Sequence, residues 1–260
     1  MKIFVYIIPD EGNSSKLSEL LTGDGVDGEL IQRVTLNQHP SNTSKKSYNY
    51  DWINLNHSIK DLINNANDEI ESIALLYIKD SSLTSADSAI INEQLREIMN
   101  LENEHKNKGE LCSDIIYLSK YNDRCDMHMN MTSLNHNNSY LSKVISPHGT
   151  QALLIMPEGI KIIQNKEFQS YNTQKKTVNE TLNIYSKEGK INSSAVTPNL
   201  FVYDIRLGES DEDYRKTHEC KNPYKKYKNV NKNKVNYLFF IIIFIIIVFL
   251  LWVFIRATIN

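Results

Sequence analysis

Two kinds of hydrophobic pattern occur along the first two hundred residues: unbroken apolar stretches and apolar stripes with helical spacing. The runs "KIFVYII", "ESIALLYI" and "DIIYLS" each contain an unbroken apolar stretch of four to six residues, which is typical of buried strands. The segment from Ser88 to Lys106 has helical periodicity instead, and its apolar stripe consists of Ile91, Leu95, Ile98 and Met99. Strands that alternate with helices favour a parallel sheet with helices on its faces. The pattern therefore predicts an α/β fold with a mostly parallel sheet in which these three strands are neighbours.

Beyond residue 120 the pattern is less regular. "HGTQALLIM" predicts a further strand, "PEGIKII" begins a short helix, and "AVTPNLFVYDI" predicts the last strand. The segment from Gln164 to Ser194 is polar and has few apolar residues, so we interpret it as a long excursion from the core or as a partly mobile segment. The folded domain is predicted to cover residues 1–205.

A different signal begins at Tyr237. From there to Ile255 the chain reads "YLFFIIIFIIIVFLLWVFI", an unbroken apolar run of 19 residues. At about 1.5 Å per residue, such a helix spans roughly 28 Å, which is close to the thickness of a bilayer core. Residues 237–255 are therefore predicted to form one transmembrane helix, and residues 206–236 form the linker before it.

The linker is basic close to the predicted membrane span. The lysines nearest the span, from residue 221 onward, are Lys221, Lys225, Lys226, Lys228, Lys232 and Lys234. Positively charged flanks remain on the cytosolic side of a membrane, and such a cluster also attracts anionic lipid head groups. The apolar stretch near the N-terminus is too short for a signal peptide. We therefore expect a tail-anchored membrane protein whose N-terminal domain lies in the cytosol.

Charge and cysteine content narrow the classes of function. The formal net charge is −2, and the lysine cluster lies beside the predicted membrane span, so nucleic-acid binding is not expected. The three cysteines, Cys112, Cys125 and Cys220, are odd in number and widely spaced. This usage is typical of reduced thiols in a cytosolic domain, and we predict no disulfide.

Four segments together resemble a known family. In chain order they are "ALLYIKDSSL", "CSDIIYLSKYNDRCD", "SPHGTQALLIMPEGIKII" and "VTPNLFVYDI". Their order resembles that of the family-25 glycosyltransferases, the lipopolysaccharide and collagen galactosyltransferase type. The resemblance covers roughly residues 1–205 and implies the nucleotide-diphospho-sugar transferase fold, called GT-A.

The resemblance also implies a metal site after the strand "ALLYI". In the family this strand ends in an acidic cluster that holds Mn²⁺ or Mg²⁺ against the donor diphosphate, because hard oxygen ligands suit these cations. Here the cluster falls on Lys79, Asp80, Ser81 and Ser82, and only Asp80 is acidic. Three interpretations stay open: a metal site without its second acid, a strand end that never bound metal, or a site rebuilt with Asp87 or Asp123.

Further contacts to a UDP-sugar are implied on either side of this strand. They are Pro9 and Asp10 after the first strand, Lys79 and Asp80 themselves, and Gly149 and Gln151 in the block "HGTQALLIM". The family carries basic residues in the loop after the first strand. This chain instead has Asp10 and Glu11, and an acidic loop repels a diphosphate.

The architecture is similar to that of the tail-anchored, glycosyltransferase-like envelope proteins of poxviruses, which bind glycosaminoglycans. We therefore expect a catalytically degenerate glycosyltransferase-like domain that acts as a binding or structural module, with a glycan or nucleotide sugar as ligand. If the protein is viral, the expected location is the virion envelope. The alternative is an active membrane-associated glycosyltransferase that transfers a sugar from a UDP-sugar with Mn²⁺ or Mg²⁺.

Overall fold

The computed structural model describes residues 1–8, 14–22, 30–36, 49–66, 70–79, 82–83, 87–120, 129–135, 139–145, 147, 149–197 and 199–203. All of them belong to one compact unit, Met1–Cys220, and the second unit of the chain is Lys221–Asn260. No helix among the described residues is long and apolar enough to cross a membrane. The predicted span, residues 237–255, lies outside them.

The centre of the fold is a mixed sheet that contains eight strands within the described residues. The strands are β1 (Lys2–Ile8), β2 (Ile31–Leu36), β3 (Ile73–Lys79), β5 (Ile115–Tyr117), β6 (Met129–Ser133), β7 (Tyr140–Lys143), β8 (Ala152–Ile155) and β9 (Ser193–Thr197). Their spatial order is β2-β1-β3-β8-β5-β9-β7-β6. A second, two-stranded sheet pairs β4 (Ser82–Leu83) with β10 (Val202–Tyr203).

Six α-helices are described around the sheet. They are α1 (Ser14–Thr22), α2 (Asn49–Asn65), α3 (Ser88–Asn107), α4 (Pro157–Gln164), α5 (Lys166–Thr173) and α6 (Val178–Lys187). A short 3₁₀ helix, Ile70–Ser72, leads directly into β3. The predicted α/β class is therefore confirmed.

Side chains of the central strands alternate between two apolar cores. Along β1, Ile3, Val5 and Ile7 pack with α1 and α3, whereas Phe4 and Tyr6 pack with α2 and α4 to α6 on the opposite face. Successive residues of a strand point to opposite faces, so a strand that is apolar throughout needs a cover on both sides. The result is a three-layer arrangement with helices on either side of the sheet.

Helix α3 forms where the sequence predicts it. Its N-cap, Asp87, accepts a hydrogen bond from the backbone N–H of Ile90 at 2.9 Å, and such a bond satisfies one of the free donors of the first turn. The predicted apolar stripe, from Ile91 to Met99, is buried against the sheet. The prediction of this helix, and of its packing on the sheet, is confirmed.

The prediction of a mostly parallel sheet is wrong. Strands β1 and β3 are parallel neighbours as expected, but β8 lies between β3 and β5 and is antiparallel to both. Of the seven pairings in the described sheet, three are parallel and four are antiparallel. All four residues of β8 are buried, and a strand that is apolar on both faces gives no sequence signal of its direction.

The segment from Gln164 to Ser194 is not an excursion from the core. It forms α5 and α6 and begins β9. Phe168 and Leu182 of these helices are buried, and the ring centroids of Phe168 and Trp52 lie 5.5 Å apart in an edge-to-face contact. A few apolar residues on one face of each helix are enough to dock it, and the many polar residues on the outer faces obscure that signal.

Gly159 lets α4 approach the start of β5. A Cβ atom on Gly159 would lie 2.2 Å from the backbone oxygen of Asp114, and the same oxygen accepts a hydrogen bond from the N–H of Met156 at 2.9 Å. No side chain fits at that distance. Helix α4 is thus held close to the backbone before β5 because residue 159 is glycine.

We expect Gly159→Ala to lower the free energy of unfolding by about 2 kcal/mol, because overpacking costs about 1–3 kcal/mol and exceeds the gain in helix propensity. Urea unfolding of the full chain measures the change. Gly109→Ala is the comparison: a Cβ on Gly109 meets nothing within 4 Å, so any loss of stability there reports the backbone strain of its φ of +68° without overpacking. A Gly159→Ala chain as stable as the parent would contradict this account of the contact.

Candidate functional site

The carboxyl ends of the parallel strands β1 and β3 lie side by side at one edge of the sheet. Ile8 and Lys79 are paired at this edge. The antiparallel strand β8 begins at the same edge, and the backbone N–H of Lys79 donates a hydrogen bond to the carbonyl oxygen of Gln151 at 2.8 Å. Ligands of open α/β sheets bind outside the carboxyl ends of the strands. The structure thus places Lys79 beside Gln151, and Gly149 precedes Gln151 by two residues in the chain.

The side chain of Lys79 is engaged in an ion pair. Its Nζ lies 2.8 Å from Oδ1 of Asp51, and the two side chains are 13% and 23% exposed. The hydroxyl of Thr150 donates a hydrogen bond to Oδ2 of the same carboxylate at 3.3 Å. The positive charge at the end of β3 is therefore compensated within the protein.

Asp51 was not among the residues singled out from the sequence. It lies in the first turn of α2, where an acid is commonly placed to offset the positive end of the helix dipole. The helix dipole therefore explains Asp51 from the sequence without assigning it to a site. Only the packing of α2 beside the sheet brings Asp51 to Lys79, nearly thirty positions later in the chain.

Gly149 occupies a backbone conformation and a space that suit glycine. Its φ is +130°, and an added Cβ would lie 3.0 Å from the backbone oxygen of Ser119 and 3.2 Å from Cα of Lys120. Its N–H donates a hydrogen bond to Oδ1 of Asn179 in α6 at 2.9 Å. Gly149 therefore holds the segment before β8 against the end of β5.

Lys120 follows β5 and is completely buried. Its Nζ donates hydrogen bonds to the carbonyl oxygen of Val196 and to the hydroxyl of Thr197, both at 2.8 Å, and to Oδ1 of Asn199 at 3.2 Å. A lysine after a strand gave no signal of this role in the sequence. The bonds tie the end of β5 to the end of β9, so the side chain serves the structure of this edge.

A row of tyrosines crosses the sheet near the same edge. Tyr6 pairs with Tyr77, and both Tyr77 and Tyr117 pair with Leu153 of β8. Burial raises the pKa of Tyr117, because an ionised phenol would be desolvated there. Burial therefore favours the neutral form of the Tyr117 phenol.

Several predicted site residues lie outside the described part of the chain. They are Pro9, Asp10, Asp80, Ser81, Asp123 and the membrane-flanking lysines Lys225, Lys226, Lys228, Lys232 and Lys234. Two others are placed: Ser82 begins the short strand β4, and the carboxylate of Asp87 caps α3. The capping bond occupies the Asp87 carboxylate at the helix, which weakens the interpretation that Asp87 rebuilds a metal site.

Among the described side chains of this edge, the Asp51 carboxylate is not free to bind a divalent cation. Asp51 is held by the ammonium group of Lys79, and a second positive charge beside that group is repelled. Within the described ranges, no cluster of three or more His, Cys, Asp or Glu side chains is arranged to hold a metal ion.

The protein is a three-layer α/β domain. The ion pair between Lys79 and Asp51 lies at the carboxyl end of its parallel strands β1 and β3. Comparison with models of known families and with curated proteins found no match to the chain.

We expect Asp51→Asn to lower the free energy of unfolding by about 1–3 kcal/mol, because it leaves the partly buried ammonium group of Lys79 without its counterion. Lys79→Met should lower the free energy of unfolding less in the Asp51→Asn chain than in the parent chain. A double-mutant cycle in urea measures this coupling. Glu104→Gln, which breaks an exposed pair with Lys108, is the control and should change stability little. Strict additivity at Asp51 and Lys79 would contradict the described pair.

Proposed function

We propose that this chain is a membrane-anchored protein whose N-terminal domain is a family-25-like glycosyltransferase domain of the GT-A type, catalytically degenerate and used as a binding or structural module. The observation that carries the proposal is the ion pair between Lys79 and Asp51. It occupies the strand end where the family resemblance places an acidic cluster for a metal ion.

The chemistry of metal-dependent sugar transfer supports the degenerate interpretation. Such a reaction needs carboxylates that bind a divalent cation, which in turn neutralises the leaving nucleotide diphosphate. Here the motif contributes an ammonium group, and the nearest described carboxylate is already paired with it. A cation would have to displace Lys79 before Asp51 became a ligand.

The same pair weakens direct binding of a diphosphate. A phosphate group that approached Lys79 would compete with Asp51 for the ammonium group and would meet the negative charge of the carboxylate. Binding would therefore include the cost of separating a partly buried ion pair. Weak, metal-independent affinity for nucleotide sugars follows from this competition.

The alternative function is an active membrane-associated glycosyltransferase that uses a UDP-sugar. One observation favours it: Lys79 and Gln151 lie at the carboxyl edge of β1 and β3, which is the usual place for a ligand in an open α/β sheet. Asp80, directly after Lys79, would then supply a metal ligand. Activity measurements separate this alternative from the degenerate module.

The membrane part of the proposal depends on the sequence. Residues 237–255 form the membrane anchor. The lysines from Lys225 to Lys234 precede it and keep its N-terminal end on the cytosolic side of the membrane. In a virus whose particle is wrapped by a cytosol-facing membrane, this topology presents the domain on the virion surface. Envelope attachment through a glycan is then the use that suits the proposed domain.

The ion pair predicts how binding of UDP-galactose responds to substitution. Calorimetry of the full chain in a mild detergent should give weak binding that Mn²⁺ does not strengthen, and no hydrolysis. Asp51→Asn releases the Lys79 ammonium group, so we expect severalfold tighter binding of the diphosphate. Asp61→Asn, on the same helix α2, is the matched control and should bind like the parent chain.

Two further variants distinguish the alternatives. Ser81→Asp places a second acid beside Asp80 and should strengthen binding of Mn²⁺, whereas Asp80→Asn should have little effect on a degenerate site. Turnover of UDP-galactose that requires Mn²⁺ and is abolished by Asp80→Asn would make the protein a glycosyltransferase and end the proposal of a degenerate module.

The proposed topology has its own test. Protease added to intact microsomes that carry the full chain should digest the N-terminal domain, because the lysine flank keeps that domain on the cytosolic face. Lumenal markers should remain intact in the same sample. A domain that is protected from protease and glycosylated at its Asn-X-Ser/Thr sites would reverse the topology.

A further inference from the structure

A second site lies at the opposite edge of the sheet. A cleft of about 530 Å³ is enclosed by the C-terminal half of α3, the loop before β5, and strands β6, β7 and β9. Ser113 and Ser194 line it near the amino ends of β5 and β9. Both strands run in the same direction as β3, so this cleft and Lys79 lie at opposite edges.

The cleft interrupts the apolar core on the α3 side of the sheet. Ile91, Leu95 and Ile98 form the buried stripe of α3, and the next position of that stripe is Glu102, which is only 2% exposed. Opposite it, Ser194 occupies the face of β9 that carries buried Val196 further along. A carboxylate and a hydroxyl thus replace apolar side chains, and burying them is costly unless they are satisfied.

Neutral donors satisfy the oxygen atoms of Glu102. Ser113 donates its backbone N–H to Oε2 at 2.7 Å and its hydroxyl to Oε1 at 2.5 Å. The hydroxyls of Ser194 and Ser113 lie 2.7 Å apart, so the hydrogen-bonded chain extends from Glu102 through Ser113 to β9. Among the described residues Glu102 has no ion-pair partner, so its charge is not compensated by a cation.

The walls of the cleft differ in charge. Lys143 ends β7, pairs in register with Ser194, and has no ion-pair partner in the described part of the chain. At the rim, Glu110 lies 3.7 Å from His105, and Leu111 is 67% exposed beside it. The cleft therefore combines a buried carboxylate, a cationic strand end, and a rim that carries Glu110, His105 and the exposed Leu111.

We propose that this cleft binds a small zwitterion. Its ammonium group pairs with Glu102, its carboxylate or phosphate pairs with Lys143, and the short hydrocarbon chain between them contacts Leu111. The volume of the cleft is within the range of about 300–1,000 Å³ that is usual for small-molecule sites. Lys143 attracts the anionic group of a ligand and Glu102 attracts its cationic group, so a ligand with both charges matches these two side chains.

The test is titration calorimetry of the full chain in mild detergent with four probes. γ-Aminobutyrate and O-phosphoethanolamine carry both charges, whereas ethanolamine and acetate carry one each. We expect each zwitterion to bind at least about tenfold more tightly than either single-charge probe. The two zwitterions also distinguish a carboxylate from a phosphate partner for Lys143.

Two substitutions locate the binding. Glu102→Gln keeps an acceptor for the Ser113 N–H and removes the charge, and Lys143→Met removes the ammonium group at a partly buried strand end. Each should weaken zwitterion binding about tenfold. Glu104→Gln on α3 and Lys60→Met on α2 are exposed matched controls and should not. Circular dichroism establishes that each variant is folded, and Lys143→Met keeps the test decisive if Glu102→Gln unfolds.

A purely structural Glu102 predicts a different result. If it serves only to hold the loop before β5, Glu102→Gln changes the unfolding midpoint and no zwitterion binds the parent chain. Failure of all probes to bind, or binding that survives both substitutions, overturns the proposal. The proposed function at Lys79 is tested separately, with UDP-galactose and Asp51→Asn, whereas this cleft is tested with Glu102→Gln and Lys143→Met, so the two proposals fail independently.

Discussion

Strand β8 joins the two halves of the sheet by hydrogen bonding to β3 on one side and to β5 on the other. Its four residues are buried, so helices have to cover both faces at this point. The chain approaches β5 very closely at both ends of β8. Gly149 lies against the backbone of Ser119, and Gly159 lies against that of Asp114. The centre of the fold therefore depends on one short antiparallel strand that is held between two glycines.

The direction of β8 also assembles the candidate site. Because the strand begins at the carboxyl edge of β3, Thr150 and Gln151 are delivered beside Lys79. Helix α2 contributes Asp51 to this edge, where Asp51 contacts both Lys79 and Thr150. The edge that resembles a donor site is thus organised by hydrogen bonds and an ion pair within the protein.

Buried charge is handled differently at the two ends of β5. At the carboxyl end, carbonyl, hydroxyl and amide oxygens surround the ammonium group of Lys120. At the amino end, one backbone N–H and one hydroxyl satisfy Glu102, which faces a cleft. The first arrangement closes the structure around the charge, whereas the second leaves a charged group beside a space large enough for a small ligand. We therefore assign Lys120 a structural role and treat Glu102 as a candidate binding group.

The sequence by itself determined the elements whose periodicity is strong: the buried strands β1 and β3, their parallel pairing, and helix α3. It also indicated the strand end at Lys79 and the glycine at position 149. The position of β8, the docking of α5 and α6, the partnership of Lys79 with Asp51 and the burial of Glu102 were decided only by the tertiary structure. Periodicity reports which face of an element is apolar, but not which element covers that face or in which direction a fully buried strand runs. Contacts between residues far apart in the chain arise from packing. Packing places Asp51, at the start of α2, beside Lys79, at the end of β3.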